Sequence, residues 1–399
     1  MRKDGGPANQ GQLILLLGGL TMLGPLSIDF YLPALPVISG DLSVGEAQSS
    51  VAAFLAGMAV GQVIYGSASD RFGRRPSILI GLALYIVASA LCGLAATYGQ
   101  LLAGRFVQAL GACAGGVVAR AVVRDRFDHT DTARVLSLMM LVSGLAPVFA
   151  PLFGGFVLHA FGWRPIFGVL SAFGVAIWGL AFFRLRESRS VETAAQARSE
   201  TVVRAYVSLF SQPRLVGYAM AGALNGAMLF TYVACSPDLL INHYRIPAAH
   251  FGWVFSVNAV GLILGGYLNR RLLRTRTPDQ VLRRSTAAAV ALCAVLAAVV
   301  FSGYDQRWAV LTLLFLLIST YGLLQGNTVA GALAIDPRRA GATSAILGAC
   351  SFATGAAASW LAGLLSDGSA RALAATMLIA AVGSATALRF AAPKNAAPV

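Results

Sequence analysis

A chain of 399 residues that is 57% hydrophobic and only 12% charged carries about half the charge of an ordinary soluble domain. With a mean hydropathy of +0.72 it holds more apolar surface than a water-soluble core can hide, so a bilayer is the solvent that fits. The formal net charge of +14 raises nucleic acid as a partner, a reading that the placement of the charges then removes.

Apolar stretches of about 20 residues begin near Gln12, Gln48, Pro76, Gln100, Val135 and Pro165. After a polar gap from Arg184 to Arg214 they resume near Leu215, Phe251, Val281, Trp308, Gly341 and Ala370. The spacing predicts twelve spanning helices, six on each side of a gap that holds Arg186, Glu187, Arg189, Glu192, Arg198, Glu200 and Arg204. The expected architecture is all-α and integral to the membrane: an N-terminal six-helix bundle over 1–190, a cytoplasmic linker over 191–213 and a C-terminal six-helix bundle over 214–399. The first span, from Gln12 to Pro36, is too long and too poorly flanked for a cleavable signal peptide and is expected to stay in the mature protein.

With the N-terminus in the cytoplasm, only Arg164, Arg245, Arg307 and Arg371 of the 30 basic residues fall outside, and Arg105 lies within a span. The remainder face the cytoplasm, as the positive-inside rule requires, which places both termini there and leaves no charge for nucleic acid to explain. Cys92, Cys113, Cys235, Cys293 and Cys350 are scattered singly and read as small buried hydrophobes, with no spacing that suggests a metal or a disulfide frame. No nucleophile–base set or phosphate loop is visible, so an enzyme is not expected.

Two formal charges sit well inside spans: Asp29 in the first and Arg105 in the fourth. A charge at that depth costs several kcal/mol, so each is expected to serve a purpose. At a helical rise of about 1.5 Å per residue, both lie about 8 Å outward of the centre of their spans. They need not touch, but each could see the same cavity. The reading is proton coupling, with Asp29 as the carrier. The structural alternatives are an Asp29 that bonds backbone groups near Pro33 and Pro36, and an Arg105 that holds carbonyls and Gln108.

The loop between spans two and three reads Gly66-Ser-Ala-Ser-Asp70-Arg71-Phe-Gly73-Arg74-Arg75-Pro76. Gly66 lets a neighbouring helix approach, and Gly73 permits a tight turn between two helices. Asp70 is placed either to accept backbone N–H bonds at a helix N-terminus or to pair with an arginine. Arg71 and Arg74 hold the loop to the cytoplasmic face. Between spans eight and nine, Gly265-Gly-Tyr-Leu-Asn269-Arg270 repeats the Gly-x-x-x-Asp/Asn-Arg spacing, which supports two six-span repeats facing each other across a cavity. In span five, Pro147 and Pro151 remove helix hydrogen bonds, while Gly144, Ala146, Ala150, Gly154 and Gly155 allow close packing against the opposite half.

The 2–3 loop resembles the signature of the major facilitator superfamily, and the likeness extends over all twelve spans. Arg105-Phe-Val-Gln108-Ala-Leu-Gly111 is similar to that superfamily's intramembrane pattern linked to proton coupling. Residues 146–155 resemble its antiporter motif, with Ala146 and Ala150 standing at two of the motif's glycine positions. Ser27-Ile-Asp29-Phe-Tyr31-Leu-Pro33-Ala-Leu-Pro36, with Ala119-Arg120-Ala-Val-Val-Arg124-Asp125, is similar to the Bcr/CflA group of bacterial multidrug exporters.

The resemblance implies a drug:proton antiporter of the bacterial inner membrane, working by alternating access on lipophilic neutral, zwitterionic or singly charged antibiotics such as phenicols or bicyclomycin. Its partners would be the drug, protons and the bilayer, it would need no cofactor, and the superfamily's fold works as a monomer. A proton-coupled carrier of an amino acid or sugar shares nearly all these features. Candidate substrate contacts near span centres are Tyr31, Gln108, Met139, Asn225, Tyr232, Asn258, Tyr321 and Gln325, with Met140 beside Met139.

Overall fold

A computed structural model describes residues 7–44, 47–127, 129–189, 209–336 and 340–391. Among these, twelve helices are long and apolar enough to cross a membrane. The first half holds α1 (Pro7–Asp29), α2 (Ser49–Phe72), α3 (Arg74–Gly93), α4 (Tyr98–Arg126), α5 (His129–Phe161) and α6 (Arg164–Arg184). The second holds α7 (Pro213–Pro237), α8 (Ala248–Leu272), α9 (Pro278–Phe301), α10 (Arg307–Leu333), α11 (Ala340–Leu364) and α12 (Arg371–Ala391). Of the linker expected over 191–213, the part up to residue 208 lies outside the described residues, as do Arg2, Lys3, Arg198, Arg204, Arg338, Arg339 and Lys394.

Local chemistry sets several helix ends. Thr97 and Thr277 each open a helix with a capping box, their hydroxyls accepting from the backbone N–H of Gln100 and Gln280 while the glutamine side chains reach back. α4 continues to Arg126, so Arg120, Arg124 and Arg126 belong to the helix. Cations in a last turn offset the partial negative charge of its free carbonyls, so a basic run extends a helix here as readily as it ends one. α1 stops at Asp29; a 3₁₀ turn at Leu32–Ala34 and a short helix at Leu35–Asp41 complete the span. Pro33 and Pro36, which lack the N–H that a continuing helix would use, account for the break.

Arg184 reaches Gln12 (3.0 Å) and Arg214 reaches the carbonyl of Ala391 (3.3 Å), so the start of α1 and the end of α12 share one arginine-rich face. The opposite face carries few arginines. Exposed apolar side chains such as Ile80, Leu94, Phe183 and Ile379 form the outer surface that lipid would cover.

Close helix crossings are made at glycines. A Cβ on Gly57 would lie 2.3 Å from the Phe106 carbonyl oxygen, so α2 crosses α4 nearly backbone to backbone. The corresponding pair in the second half, α8 on α10, crosses at Gly265, where a Cβ would lie 1.9 Å from the Ser319 oxygen. The halves meet along two seams. In one, α11 lays Gly348 against the side chain of Gln62 on α2. In the other, α8 packs on α5.

Candidate functional site

Asp29 ends α1 at the point where the helix breaks, and it is 5% exposed. It has no hydrogen bond or ion pair to any described residue. α5 passes directly behind it, since a Cβ on Gly154 would lie 2.0 Å from the carbonyl oxygen of Phe30. Across the seam, Tyr232 of α7 is within electrostatic reach of Asp29. The Tyr232 hydroxyl accepts from Asn258 Nδ2 (2.6 Å), and its ring stacks on Phe255 at 5.6 Å, which in turn stacks on Phe251 at 5.7 Å. An acid contributed by one half therefore faces an aromatic and amide wall contributed by the other.

Arg105 is wholly buried inside the first half, and no ion pair joins it to Asp29. Its Nη1 donates to the Ser27 carbonyl (3.1 Å) and to Gln108 Oε1 (2.6 Å), while Gln108 Nε2 donates to Ser89 Oγ (2.8 Å). Its Nε and Nη2 have no hydrogen-bond partner among the described residues. The guanidinium lies instead 4.4 Å from the ring centroid of Phe54, 4.5 Å from Tyr31 and 5.8 Å from Phe167. Three aromatic faces stand where an anion would otherwise be needed.

Other residues singled out by the sequence are also engaged inside one half. The Tyr31 hydroxyl bonds Ser50 Oγ (2.8 Å). Asn225 accepts from Ser384 (2.9 Å) and leaves its own Nδ2 buried without a partner. Met139 is buried, while its neighbour Met140 is 77% exposed. Tyr321 and Gln325 are half-buried on α10, with Gln325 Oε1 lacking a partner. Of these, Tyr232 comes within electrostatic reach of Asp29, and Asn258 is tied to the Tyr232 hydroxyl.

In the 2–3 loop Asp70 takes the arginine option and pairs with Arg74. Arg74 is buried and also bonds Asp125 of α4 through Nε (2.9 Å) and Ser69 through Nη1 (2.8 Å). Gly73 joins α2 to α3 with φ +111°, a conformation that excludes most side chains. Gly66 is half-buried and Arg71 lies at the exposed tip. Asp125, which the sequence reading quoted only as the end of a family pattern, is the second acid on Arg74; no spacing along the chain relates the two positions.

On α5, Pro147 and Pro151 lie within an unbroken helix. The small residues divide their work differently from the expectation that all would face the opposite half. Gly154 packs on α1 of its own half, Gly144 has open space, and Gly155 lies 3.8 Å, Cβ to oxygen, from Ala248 of α8. The close approach across the seam comes from Gly252 of α8, whose Cβ would lie 2.9 Å from the Pro151 oxygen, and Ser256 donates to the Val148 carbonyl (2.5 Å). Between the halves at the arginine-poor face lies a cavity of about 220 Å³, lined by Pro36, Ser39, Gln48, Asp238, Asn242 and Gly368 among others.

Two six-helix bundles with a buried acid, Asp29, between them define a multi-pass membrane transporter, not an enzyme. The chain belongs to the Major Facilitator Superfamily, whose sequence profile matches residues 17–359. It is 32% identical over 351 residues to the bicyclomycin resistance protein homolog of Haemophilus influenzae, covering 86% of each chain. It is 30% identical over 385 residues to the multidrug resistance protein MdtL of Shigella dysenteriae, covering 94% of each. Solved structures of similar fold include a bacterial homolog of the human lysosomal transporter Spinster (TM-score 0.75, 16% identity, 97% of each chain). A D-xylose-proton symporter superposes with TM-score 0.74 at 14% identity, over 95% of this chain and 97% of that one.

Proposed function

We propose that this chain is a proton-coupled exporter of lipophilic drugs in a bacterial inner membrane, with the arginine-rich face in the cytoplasm. The observation that carries the reading is Asp29: a buried carboxyl group inside an apolar span, within electrostatic reach of the other half, with no hydrogen-bond or ion-pair partner among the described residues. An ionised carboxylate without a counter-charge in such a place is relieved either by a proton or by the donor groups of a ligand, and one displaces the other. That competition is the elementary step of antiport. Drug binds from the cytoplasm or inner leaflet while Asp29 is ionised, the halves rock, and a proton from the far side neutralises Asp29 and weakens the hold on the drug. The protonated carrier then returns. Relatives named for bicyclomycin and multidrug resistance support the substrate class. Arg105 acts from within the first half, fixing the Ser27 carbonyl and so the turn of α1 that presents Asp29.

The test is drug-induced proton release from the purified protein in weakly buffered detergent, with phenicols and bicyclomycin as trial ligands. The wild type releases protons on binding, and Asp29→Asn binds drug without release while unfolding at a similar temperature. Undiminished release by the mutant would move the coupling site elsewhere. Ala146 and Ala150, where the antiporter pattern has glycine, favour one other reading, a proton-coupled carrier of an amino acid or sugar. A panel in which only such metabolites bind would select it.

A further inference from the structure

The chain does not leave the first half freely after α6. Leu185 is buried, and the following four residues fold back over the 2–3 loop. Glu187 Oε1 accepts from the backbone N–H of Arg74 (2.9 Å), Ser188 (3.0 Å) and Arg189 (3.0 Å), and Oε2 accepts from that of Arg75 (3.2 Å). The first two N–H groups of α3, left free by the helix, are thereby satisfied by an anion at the positive end of its dipole. Arg189 serves the other side of the loop, its Nη1 donating to the carbonyls of Asp70 (3.2 Å) and Arg71 (2.6 Å) at the end of α2. Ser188 adds a bond to Asp125 (3.3 Å), and Arg126 of α4 donates to the Arg186 carbonyl (2.9 Å). Gly73 is required for this as well as for the turn, because a Cβ there would lie 2.6 Å from Glu187 Oε2.

These bonds join the loop that carries Asp70 and Arg74 to the root of the segment leading to the second half. We propose that Glu187 is a positioning residue of the transport cycle, clasping the root of the inter-half linker to the 2–3 loop so that loop, α4 and linker root move as one block. The proposal rests on the transport reading above. Rocking of the halves then pulls on the Asp70–Arg74–Asp125 set through the linker, and the set cannot loosen independently of the linker. The clasp is not itself a proton switch. Partial burial pulls the Glu187 carboxyl upward, but the four backbone N–H groups outweigh it and hold the group below the ordinary carboxylate range. Its contribution is therefore present at neutral pH and is lost only as the pH falls through that lowered value.

The experiment compares wild type, Glu187→Gln and Glu187→Ala in proteoliposomes with an imposed pH gradient, with Arg189→Ala as a second route to the same loss. By the usual strength of a helix-capping bond, Glu187→Ala lowers maximal transport about tenfold, with KM and equilibrium drug binding essentially unchanged. Glu187→Gln, which keeps one acceptor oxygen, falls between. Wild-type maximal transport in both alanine variants overturns the proposal. So does a loss of binding in parallel with thermal stability, which marks a purely structural cap. A spin-label pair at Gly11→Cys and Thr275→Cys, in a cysteine-depleted background, reads the separation of the halves at the arginine-rich face without needing transport. If the wild type exports none of the drugs, the transport reading fails, and the clasp is then judged by this pair alone. An altered distance distribution in Glu187→Ala supports the clasp, and an unaltered one sinks it.

Discussion

Arg105 brings a full charge into the first half with no anion to meet it. The rings of Tyr31, in the break after α1, and Phe54 of α2 lie about equally close to its guanidinium, and Phe167 of α6 lies farther off. A desolvated cation over an aromatic face is worth about 2 kcal/mol, and losing the arginine also leaves the Ser27 carbonyl and Gln108 Oε1 without their donor. Arg105→Ala should therefore lower the free energy of unfolding by about 3 kcal/mol or more, seen as an earlier transition in thermal unfolding. Arg105→Lys should recover part of it, because an ammonium keeps the charge but lacks the planar face and the forked donors. Equal stability of the alanine variant would show that the cage does not hold these helices together. That Asp29 and Arg105 lie inside apolar spans was legible in the sequence, because a bilayer penalises charge by position. Gln108, one turn along the same helix, was legible as a partner of Arg105, but the aromatic cage around the guanidinium was not. The cage is assembled from residues 31, 54 and 167, and no spacing along the chain relates those positions. The same limit hid that Tyr232 of the second half comes within electrostatic reach of Asp29.

At the scale of elements, the repeat read from Gly66–Asp70 and Gly265–Asn269 has a physical counterpart in the fold. The first half ties its loop to α4 through the charged set of Asp70, Arg74 and Asp125, and the second ties Asn269 to α10 through Asn327 Nδ2 (2.7 Å). A neutral amide pair occupies the place of an ionic one, which agrees with placing the state-dependent gate in the first half. The motif's turn was legible because Gly73 and its flanking arginines are local features. Glu187 was not, since it lies 113 positions from Arg74 and entered the sequence reading only as one charge in a linker. α5 shows the same division. Its small residues were visible, yet which neighbour each one admits depends on helix rotation. Gly154→Val should force α5 away from Phe30, with an overpacking cost of about 1–3 kcal/mol and loss of drug efflux. Gly144→Ala, with nothing within 4 Å of its Cβ, should leave efflux intact. Equal tolerance at the two positions, measured as drug resistance in expressing cells, would remove α5's approach to α1 from the mechanism.

At the scale of the whole molecule, the two seams set what can move. The α5–α8 seam closes at the arginine-poor face through Gly252, Ser256 and the approach of Gly155 to Ala248. It lies close to Asp29, since Gly154 of the same α5 packs against Phe30. An alternating carrier must part these ends in one state and join them in the other. Gly155→Cys with Ala248→Cys places two thiols where α5 and α8 approach, a Cβ on Gly155 lying 3.8 Å from the Ala248 backbone oxygen, close enough to test for a disulfide. Mild oxidation should link them in the state seen here and halt drug efflux in membrane vesicles, and reduction should restore it. Each single cysteine variant should transport normally under both conditions, which separates the effect of the bond from that of the substitutions. Rapid cross-linking with transport undisturbed would mean that these ends stay together throughout the cycle. The pathway past Asp29 would then have to open along the α2–α11 seam, at Gln62 and Gly348, instead.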